Sequence, residues 1–183
     1  MNHTLNAKRK DGNTTTLTLK SLTLEHVKQI LDLQAEIIAS IEDPQIYFAS
    51  THDEIMHHIE NHQILFGYFT PENELISLMV YLRLGLDSSN YGYDLNLPKE
   101  KLLAIGQIDT VLVKPDFRGN KIQYLMCKYV EEIAKQTGIT MLCATASPYN
   151  PFSVNNFLSL GYEVRMDKLK YGGLRRYVLA KDL

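Results

Sequence analysis

The residue types best suited to chemistry cluster where a β-branched strand turns directly into an amphipathic helix. Residues 111–123 read VLVKPDFRGNKIQ, in which proline ends the strand and Arg-Gly-Asn forms the turn. The unpaired N–H groups and the positive end of the helix dipole then point, together with Arg118, at one small volume. Such a volume binds anions, and phosphates above all. The turn is therefore predicted to bind a phosphate group.

The strand that leads into this turn carries polar side chains of its own. Because side chains alternate in direction along a strand, Gln107, Asp109 and Val111 are predicted to share one face. Asp109 is the best-placed carboxylate of that face, two residues nearer the turn than Gln107.

Strand and helix signals alternate along the rest of the chain, with hairpin signals in both halves. Strands are predicted over 14–20, 63–70, 74–86, 104–113, 140–147 and twice within 162–183, and helices over about 21–38, 51–61, 119–136 and 151–160. The predicted fold class is α/β, with a mixed, mostly antiparallel central sheet flanked by helices.

Two segments carry more specific expectations. Residues 87–100 are polar, with glycine and proline, and are predicted to form an exposed loop near a functional site. The helix over 119–136 has apolar residues at helical spacing. Its predicted buried face consists of Ile122, Leu125, Met126, Tyr129, Val130 and Ile133.

Composition favours one soluble domain. The 183 residues with 45% hydrophobic content suffice for one core, so we predict a single domain over 1–183 with a flexible N-terminal segment over 1–13.

The formal net charge is −2 and no basic block occurs, which argues against nucleic acid as a partner. No secretory signal and no apolar run of about 20 residues is found, so a membrane partner is not expected. Cys127 and Cys143 suggest no disulfide framework, which favours the cytoplasm.

The Val-x-Pro-x-x-Arg-Gly turn between strand and helix, followed by another strand and by Leu160-Gly161-Tyr162 at the end of the last predicted helix, resembles the GNAT acyltransferase superfamily. The resemblance covers roughly residues 14–183 in element order and is sharp in motif between about 107 and 162. It implies an N-acetyltransferase that uses acetyl-CoA as co-substrate.

The resemblance also implies which residues hold acetyl-CoA. Backbone groups of Leu112 and Val113 would pair with the pantetheine arm, and Asn150 or Ser153 would reach that arm from the other side. The pyrophosphate would lie on the N–H groups of Arg118, Gly119, Asn120, Lys121, Ile122 and Gln123. Lys121 and Gln123 stand where the family usually has glycine and glycine or alanine. Their side chains either crowd the cofactor or, for Lys121, add a charge contact to a phosphate.

The reaction implied by the resemblance is direct attack of an amine on the acetyl thioester. Gln107 stands eleven residues before Arg118, where family members often carry glutamate, and can orient a water or the substrate but not take a proton. Asp109 is predicted to be the base, directly or through water. A structural aspartate that caps a loop or bridges a cation is an equally good interpretation.

The usual general acid of the family, a tyrosine four residues before the last glycine of the motif, is replaced by Phe157. A CoA thiolate can leave without full protonation, because thiols titrate near ~8.5. Tyr149 or Tyr124 are substitutes for the missing hydroxyl, although each is better explained as a packed aromatic residue.

Two further groups of residues have types that could bind a metal or a substrate. Glu54, His58 and His62 share helical spacing, but a solvated helix face explains them better than a metal site, and no metal is predicted. The long loop carries Tyr91, Tyr93, Asp87 and Asp94. It borders either an acceptor pocket that suits a cationic amine or plain solvent.

The leading hypothesis is an acetyl-CoA-dependent N-acetyltransferase that acts on an amine of a small molecule or peptide. One alternative is a non-catalytic CoA-binding or regulatory module, suggested by Gln107 and Phe157. Another is a GNAT-fold enzyme that uses a different acyl-CoA or transfers to a hydroxyl. The resemblance also suggests a homodimer through the C-terminal hairpin.

Overall fold

The computed structural model describes residues 3–183, which form a sheet with helices around it. The strands are β1 Thr4–Lys8, β2 Thr14–Ser21, β3 Ile64–Phe69, β4 Ser77–Leu82, β5 Ile105–Val113, β6 Met141–Ala146, β7 Glu163–Lys170 and β8 Leu174–Asp182. The helices are α1 Val27–Ala39, α2 His52–Glu60, α3 Lys99–Leu102, α4 Ile122–Gln136 and α5 Pro151–Ser159, with 3-10 turns at Leu24–His26 and Pro115–Phe117.

The strand order is β1-β2-β3-β4-β5-β6-β8-β7. Strands β5 and β6 pair in parallel, because α4 returns the chain to the same end of the sheet between them. The pairs β1–β2, β2–β3, β6–β8 and β7–β8 are antiparallel. The predicted fold class is confirmed.

The described chain groups into two compact units, each built from separate segments. Unit 1 comprises residues 3–42, 49–80 and 110–123, and unit 2 comprises residues 43–48, 81–109 and 124–183. The core of unit 2 includes Tyr91, Leu102, Ile105, Cys143 and Val178. The single domain over 1–183 stays a prediction.

The N-terminal segment differs from the expectation of a flexible stretch over 1–13. Within it, Thr4–Lys8 forms β1 and pairs with β2 from Thr4↔Thr18 to Lys8↔Thr14. Ala7 is the buried residue of this strand. A five-residue strand whose apolar residues are only Leu5 and Ala7 has a weak hydropathy signal, which is why the sequence pattern missed it. Residues 1 and 2 of the predicted segment lie outside the described residues.

The prediction of an exposed loop over 87–100 is wrong at its centre. Asn90 and Tyr91 are buried, and the end of the segment enters α3. The Asn90 amide donates to the carbonyls of Gly85 at 2.7 Å and Leu102 at 3.2 Å, which folds the loop back on itself. Buried backbone groups satisfied by a side-chain amide are invisible to a hydropathy pattern.

The predicted buried face of α4 is only partly correct. Leu125 is 37% exposed, and Tyr129 and Ile133 are half-buried. The fully buried positions are Ile122, Met126, Cys127, Val130, Glu131 and Ala134. The face is rotated because Lys181 donates to the buried Glu131 carboxylate at 2.8 Å and so permits a charged residue there.

Candidate active site

The parallel pairing of β5 and β6 ends partway along β5. The register runs from Ile105↔Met141 to Ile108↔Ala144, whereas β6 stays paired with β8 through Thr145↔Val178 and beyond. Asp109 and Thr145 are therefore the first residues past the last β5–β6 pair. Two strands that stop pairing offer strand-edge backbone groups and space to a ligand.

Asp109 is held by two donors within unit 2. The Tyr91 hydroxyl donates to its Oδ1 at 3.1 Å, and the Gln107 amide approaches the same oxygen at 3.4 Å. The Gln107 carbonyl oxygen in turn accepts from the Tyr91 backbone N–H at 3.0 Å. Gln107 and Asp109 thus share one strand face, as predicted. Because Gln107 is 2% exposed, its amide is used to hold Tyr91 and Asp109.

The Tyr91 hydroxyl begins a chain of hydrogen bonds that leads away from Asp109. It lies 2.7 Å from the Tyr171 hydroxyl, which lies 3.0 Å from Thr145 Oγ1. Each hydroxyl has one proton. Since Tyr91 donates to Asp109, Tyr91 accepts from Tyr171, and Tyr171 accepts from Thr145. The chain therefore points its protons toward the Asp109 carboxylate.

The surroundings of the two tyrosines keep their hydroxyls protonated. Burial, followed by the charge of Asp109, raises the pKa of Tyr91 well above its usual value. Burial also raises the pKa of Tyr171, although hydrogen bonds with Thr145 and Tyr91 oppose that rise. Both groups remain donors at neutral pH. Tyr91 therefore stays able to donate to Asp109, and Tyr171 to Tyr91.

Tyr171, in the middle of this series of hydrogen bonds, lies in the β7–β8 turn. Tyr171 has a φ of 51°, and Gly172 and Gly173 follow with φ of 78° and 118°. A positive φ costs a residue with a side chain about 1–2 kcal/mol. The ring of Tyr171 is held by stacking on Phe48, with centroids 5.1 Å apart and 13° between planes. Backbone strain of this kind is concentrated at functional sites.

The predicted phosphate-binding turn lies in unit 1 and has the backbone shape that such a site needs. After the 3-10 turn Pro115–Phe117, Gly119 has a φ of 90° and Lys121 a φ of 57°. These two positive φ values delay α4 to Ile122, three residues later than the predicted start. Lys121 is exposed and occupies a conformation that favours glycine.

The turn presents backbone donors. Among the described residues, no backbone carbonyl accepts from the N–H groups of Gly119, Asn120 or Lys121. A side chain at Gly119 would meet nothing within 4 Å, so the turn is open there. Arg118 is exposed, and its Nε lies 3.4 Å from the Val113 carbonyl. These residues fit a pyrophosphate group, which needs several donors in a curved array.

The side chain of Asn120 ties this turn to β1. Its Nδ2 donates to the carbonyls of Phe117 at 2.9 Å and Lys8 at 2.8 Å, and its Oδ1 accepts from the Lys8 N–H at 2.8 Å. Beside it, the Lys10 N–H donates to the Asp116 carbonyl at 3.1 Å. The shape of the turn therefore depends on the N-terminal strand.

The remaining predicted cofactor residues are distributed over both units. Leu112 and Ile122 are buried, so only their backbone groups can serve a ligand, while Val113 and Gln123 are partly buried. In unit 2, Asn150 is the N-cap of α5, and its Oδ1 accepts from the Ser153 N–H at 3.2 Å. That bond gives both residues a structural role in addition to the predicted one.

Phe157, at the position of the usual general acid, and the two tyrosines that could substitute for it lie in different surroundings. Phe157 is buried, and its ring packs edge-to-face on Tyr162, with centroids 5.1 Å apart. Tyr149 is 50% exposed, so its interpretation as a packed aromatic residue is wrong. Tyr124 is half-buried.

Histidines of α2 and Asp94 of the loop before α3 contact neighbouring protein side chains. His52 contacts Asp53 at 3.0 Å and His57 contacts Asn61 at 3.1 Å on the surface of α2. Within residues 3–183, no three His, Cys, Asp or Glu side chains are grouped to hold a metal ion. Asp94 forms ion pairs with Lys168 and Lys170, so its charge is already neutralised.

Across the part of the chain that the structure describes, none of the helices combines the length and apolar character needed to cross a membrane.

Sequence reasoning missed the hydroxyl chain and a buried arginine, Arg176. Tyr171 and Tyr91 are 80 residues apart, and Thr145 and Tyr171 are 26 apart. The one available signal was the Tyr-Gly-Gly string, whose two glycines predict a turn but not the direction of the tyrosine side chain.

Comparison with known proteins supports the family. A family model described as Acetyltransferase (GNAT) family matches residues 88–162. Comparison with curated proteins gives no match.

The fold is similar to that of several solved acetyltransferases. For a GNAT-family acetyltransferase from Streptococcus pneumoniae the TM-score is 0.68 at 12% identity, over 91% of this chain and 99% of that one. For one from Listeria monocytogenes it is 0.67 at 14% identity, over 99% and 100%. For the GNAT domain of S. lividans PAT it is 0.66 at 17% identity, over 100% and 97%. At these identities the likeness is one of fold. Together with the family match over residues 88–162, this likeness supports an acyltransferase of the GNAT superfamily.

Proposed function

We propose that this acyltransferase is an N-acetyltransferase that moves an acetyl group from acetyl-CoA to an amine of a small molecule or peptide. The observation that carries the proposal is the Asp109 carboxylate, supported by oriented donors at the point where β5 and β6 stop pairing. A carboxylate held in place at the point where two strands stop pairing is suited to remove a proton from an attacking amine.

The chemical step needs little else from the protein. The acceptor nitrogen attacks the thioester carbonyl, a C–N bond forms, and the C–S bond breaks. The proton of the amine passes to Asp109, directly or through water, and CoA leaves as a thiolate. A side-chain acid is dispensable because thiols titrate near ~8.5, which accommodates Phe157. Gln107 acts as a positioning residue, since it holds both Tyr91 and Asp109.

The co-substrate would be held mainly by backbone groups. We propose that the N–H groups of the turn 118–123, with the charge of Arg118, bind the pyrophosphate. Leu112 and Val113 would pair with the pantetheine arm, and Asn150 or Ser153 would contact it. Lys121 is exposed, which favours a charge contact over crowding.

The first test is calorimetric titration with acetyl-CoA, with CoA and ATP as controls, followed by acceptor-dependent CoA release across an amine panel. Acetyl-CoA should bind in the micromolar range and ATP should not. Arg118→Glu should weaken binding by placing like charges together, whereas Lys135→Glu, the same charge reversal in the last turn of α4, should leave it intact. Absence of acetyl-CoA binding at low salt would overturn the proposal.

We further propose a cytoplasmic setting and a homodimer. Cys127 and Cys143 are buried free thiols, which suits a reducing compartment. The edge strand β7 exposes Val164 and Leu169, which suits pairing with a second copy. Sedimentation of wild type and Leu169→Lys would test the dimer, and a monomeric wild type would refute it.

A further inference from the structure

Arg176, on β8, is buried without a carboxylate beside it. The residue is 3% exposed, and its Nη1 donates to the backbone carbonyls of Gln45 at 2.6 Å and Arg175 at 2.9 Å. Within the described part of unit 2, it forms no salt bridge, and its Nε and Nη2 have no acceptor. A buried cation without an opposite charge is costly unless something compensates it.

The charge of this side chain persists despite its surroundings. Burial lowers the pKa of Arg176, although Tyr171 and Tyr91 oppose that change. A guanidinium titrates so far above neutrality that it remains protonated. The protein therefore keeps a positive charge inside unit 2 that its own carboxylates do not neutralise.

Aromatic rings lie next to Arg176. Its guanidinium carbon lies 5.7 Å from the centroid of the Tyr171 ring, and Phe48 stacks on the same ring. Phe48 is 49% exposed, so this aromatic pair reaches the surface. A guanidinium with two nitrogens unused, beside an aromatic wall, suits the flat, two-oxygen shape of a carboxylate.

Tyr171 joins this cation to the proposed base. One side of the tyrosine faces Arg176, and its hydroxyl is connected through Tyr91 to Asp109. The guanidinium thus lies against the Tyr171 ring, and the carboxylate of the proposed base is reached from the hydroxyl of that ring through Tyr91. That charge arrangement is complementary to a molecule that has an amine at one end and an anionic group at the other.

We propose that the acceptor is an amine that also carries a carboxylate, with the carboxylate held by Arg176 and the amine directed toward Asp109. The proposal rests on the N-acetyltransferase function proposed above and specifies its acceptor class.

The test compares acceptors that differ only in the carboxylate. Suitable pairs are tyrosine with tyramine, γ-aminobutyrate with propylamine, and ε-aminocaproate with pentylamine, each assayed for kcat/KM. Wild type should prefer the acid in at least one pair. Arg176→Gln should reduce kcat/KM for that acid by about 10- to 100-fold, the usual contribution of a charged hydrogen-bonded pair, and reduce kcat/KM for the matching amine much less. Arg176→Lys should retain part of the preference.

Arg175→Gln is the matched control. Arg175 is the neighbouring residue, is exposed, and pairs with Asp167 at 2.6 Å, so its removal should not change the acid-to-amine ratio. A purely structural role of Arg176, which would hold the Gln45 segment in place, predicts an equal loss for acid and amine. That result would overturn the proposal.

The remaining outcomes separate this proposal from the proposed function. If wild type binds acetyl-CoA and acetylates acids and amines equally well, the carboxylate proposal falls and the N-acetyltransferase stands. If no pair is turned over, the melting temperature is measured with N-acetyltyrosine and N-acetyltyramine. A stabilisation by the acid alone that Arg176→Lys weakens would support the proposal, and its absence would overturn it.

Discussion

The link between Asn120 and β1 allows a prediction that needs no knowledge of the acceptor. Asn120→Ala removes three hydrogen bonds of 2.8, 2.8 and 2.9 Å, two of them to Lys8 and one to Phe117. A net hydrogen bond contributes about 0.5–1.5 kcal/mol. Because the bonds to Lys8 are exposed, water can replace them in the variant. Three such bonds contribute about 1.5–4.5 kcal/mol. We therefore expect the free energy of unfolding to fall by about 2 kcal/mol, in the lower half of that range.

The same substitution should weaken acetyl-CoA binding. The turn presents its N–H groups in one arrangement partly because Asn120 holds it, so a loosened turn must be ordered again on binding. Each ~1.4 kcal/mol of ordering free energy moved into the binding step lowers affinity about tenfold. If about 0.7–1.4 kcal/mol of the lost stability must be supplied on binding, the affinity for acetyl-CoA falls about three- to tenfold.

Two measurements check this prediction, urea unfolding and calorimetric titration with acetyl-CoA. Asn6→Ala is the control, because Asn6 lies on the same strand and forms a single exposed hydrogen bond with Thr16 at 2.9 Å. It should change stability slightly and affinity not at all. Unchanged affinity in Asn120→Ala, together with a clear loss of stability, would refute the idea that β1 shapes the phosphate-binding turn.

Three further predictions follow from the described contacts. Asp109→Asn should lower kcat by about 10²- to 10⁴-fold and leave acetyl-CoA affinity unchanged in calorimetry; an unchanged rate would exclude Asp109 as the base. Lys121→Gly should raise the free energy of unfolding by up to about 1 kcal/mol, because it relieves a positive φ; a lower melting temperature would contradict this. Although burial raises the pKa of Asp94, the hydrogen bonds and charges of Lys168 and Lys170 hold it below the usual value. Its contribution to stability is therefore present above the unfolded pKa of about 3.9 and is lost as pH falls through the lower folded value. Asp94→Asn should flatten the acid limb of the stability curve, and an identical limb would contradict the assignment.

Local patterns predicted most of the elements because they depend on short-range physical preferences. The predicted helix over about 51–61 is α2, which begins at a capping box of Thr51 and Glu54, and the two glycines at 172 and 173 mark the β7–β8 turn. The turn between β5 and α4 was predictable for the same reason, since its proline, glycine and helix start are close together in sequence. Prediction failed where a polar contact replaced the hydropathy signal, as at Asn90 and at Glu131 in α4.

The sequence by itself determined the α/β class, the turn from Lys114 to Ile122 and the strand face that carries Asp109. The turn and the strand face follow from residue order over fewer than about ten positions, the range of backbone propensity and side-chain alternation. The class follows from the succession of such local signals along the chain. Only the tertiary structure decided that Tyr91, Tyr171 and Thr145 form one hydrogen-bonded chain on Asp109. It also decided that Arg176 is buried behind Tyr171, because segments far apart in sequence meet there. Hydrogen-bond partners, burial and the resulting pKa shifts depend on which distant side chains come within about 3 Å of each other, and that proximity is a property of the folded chain.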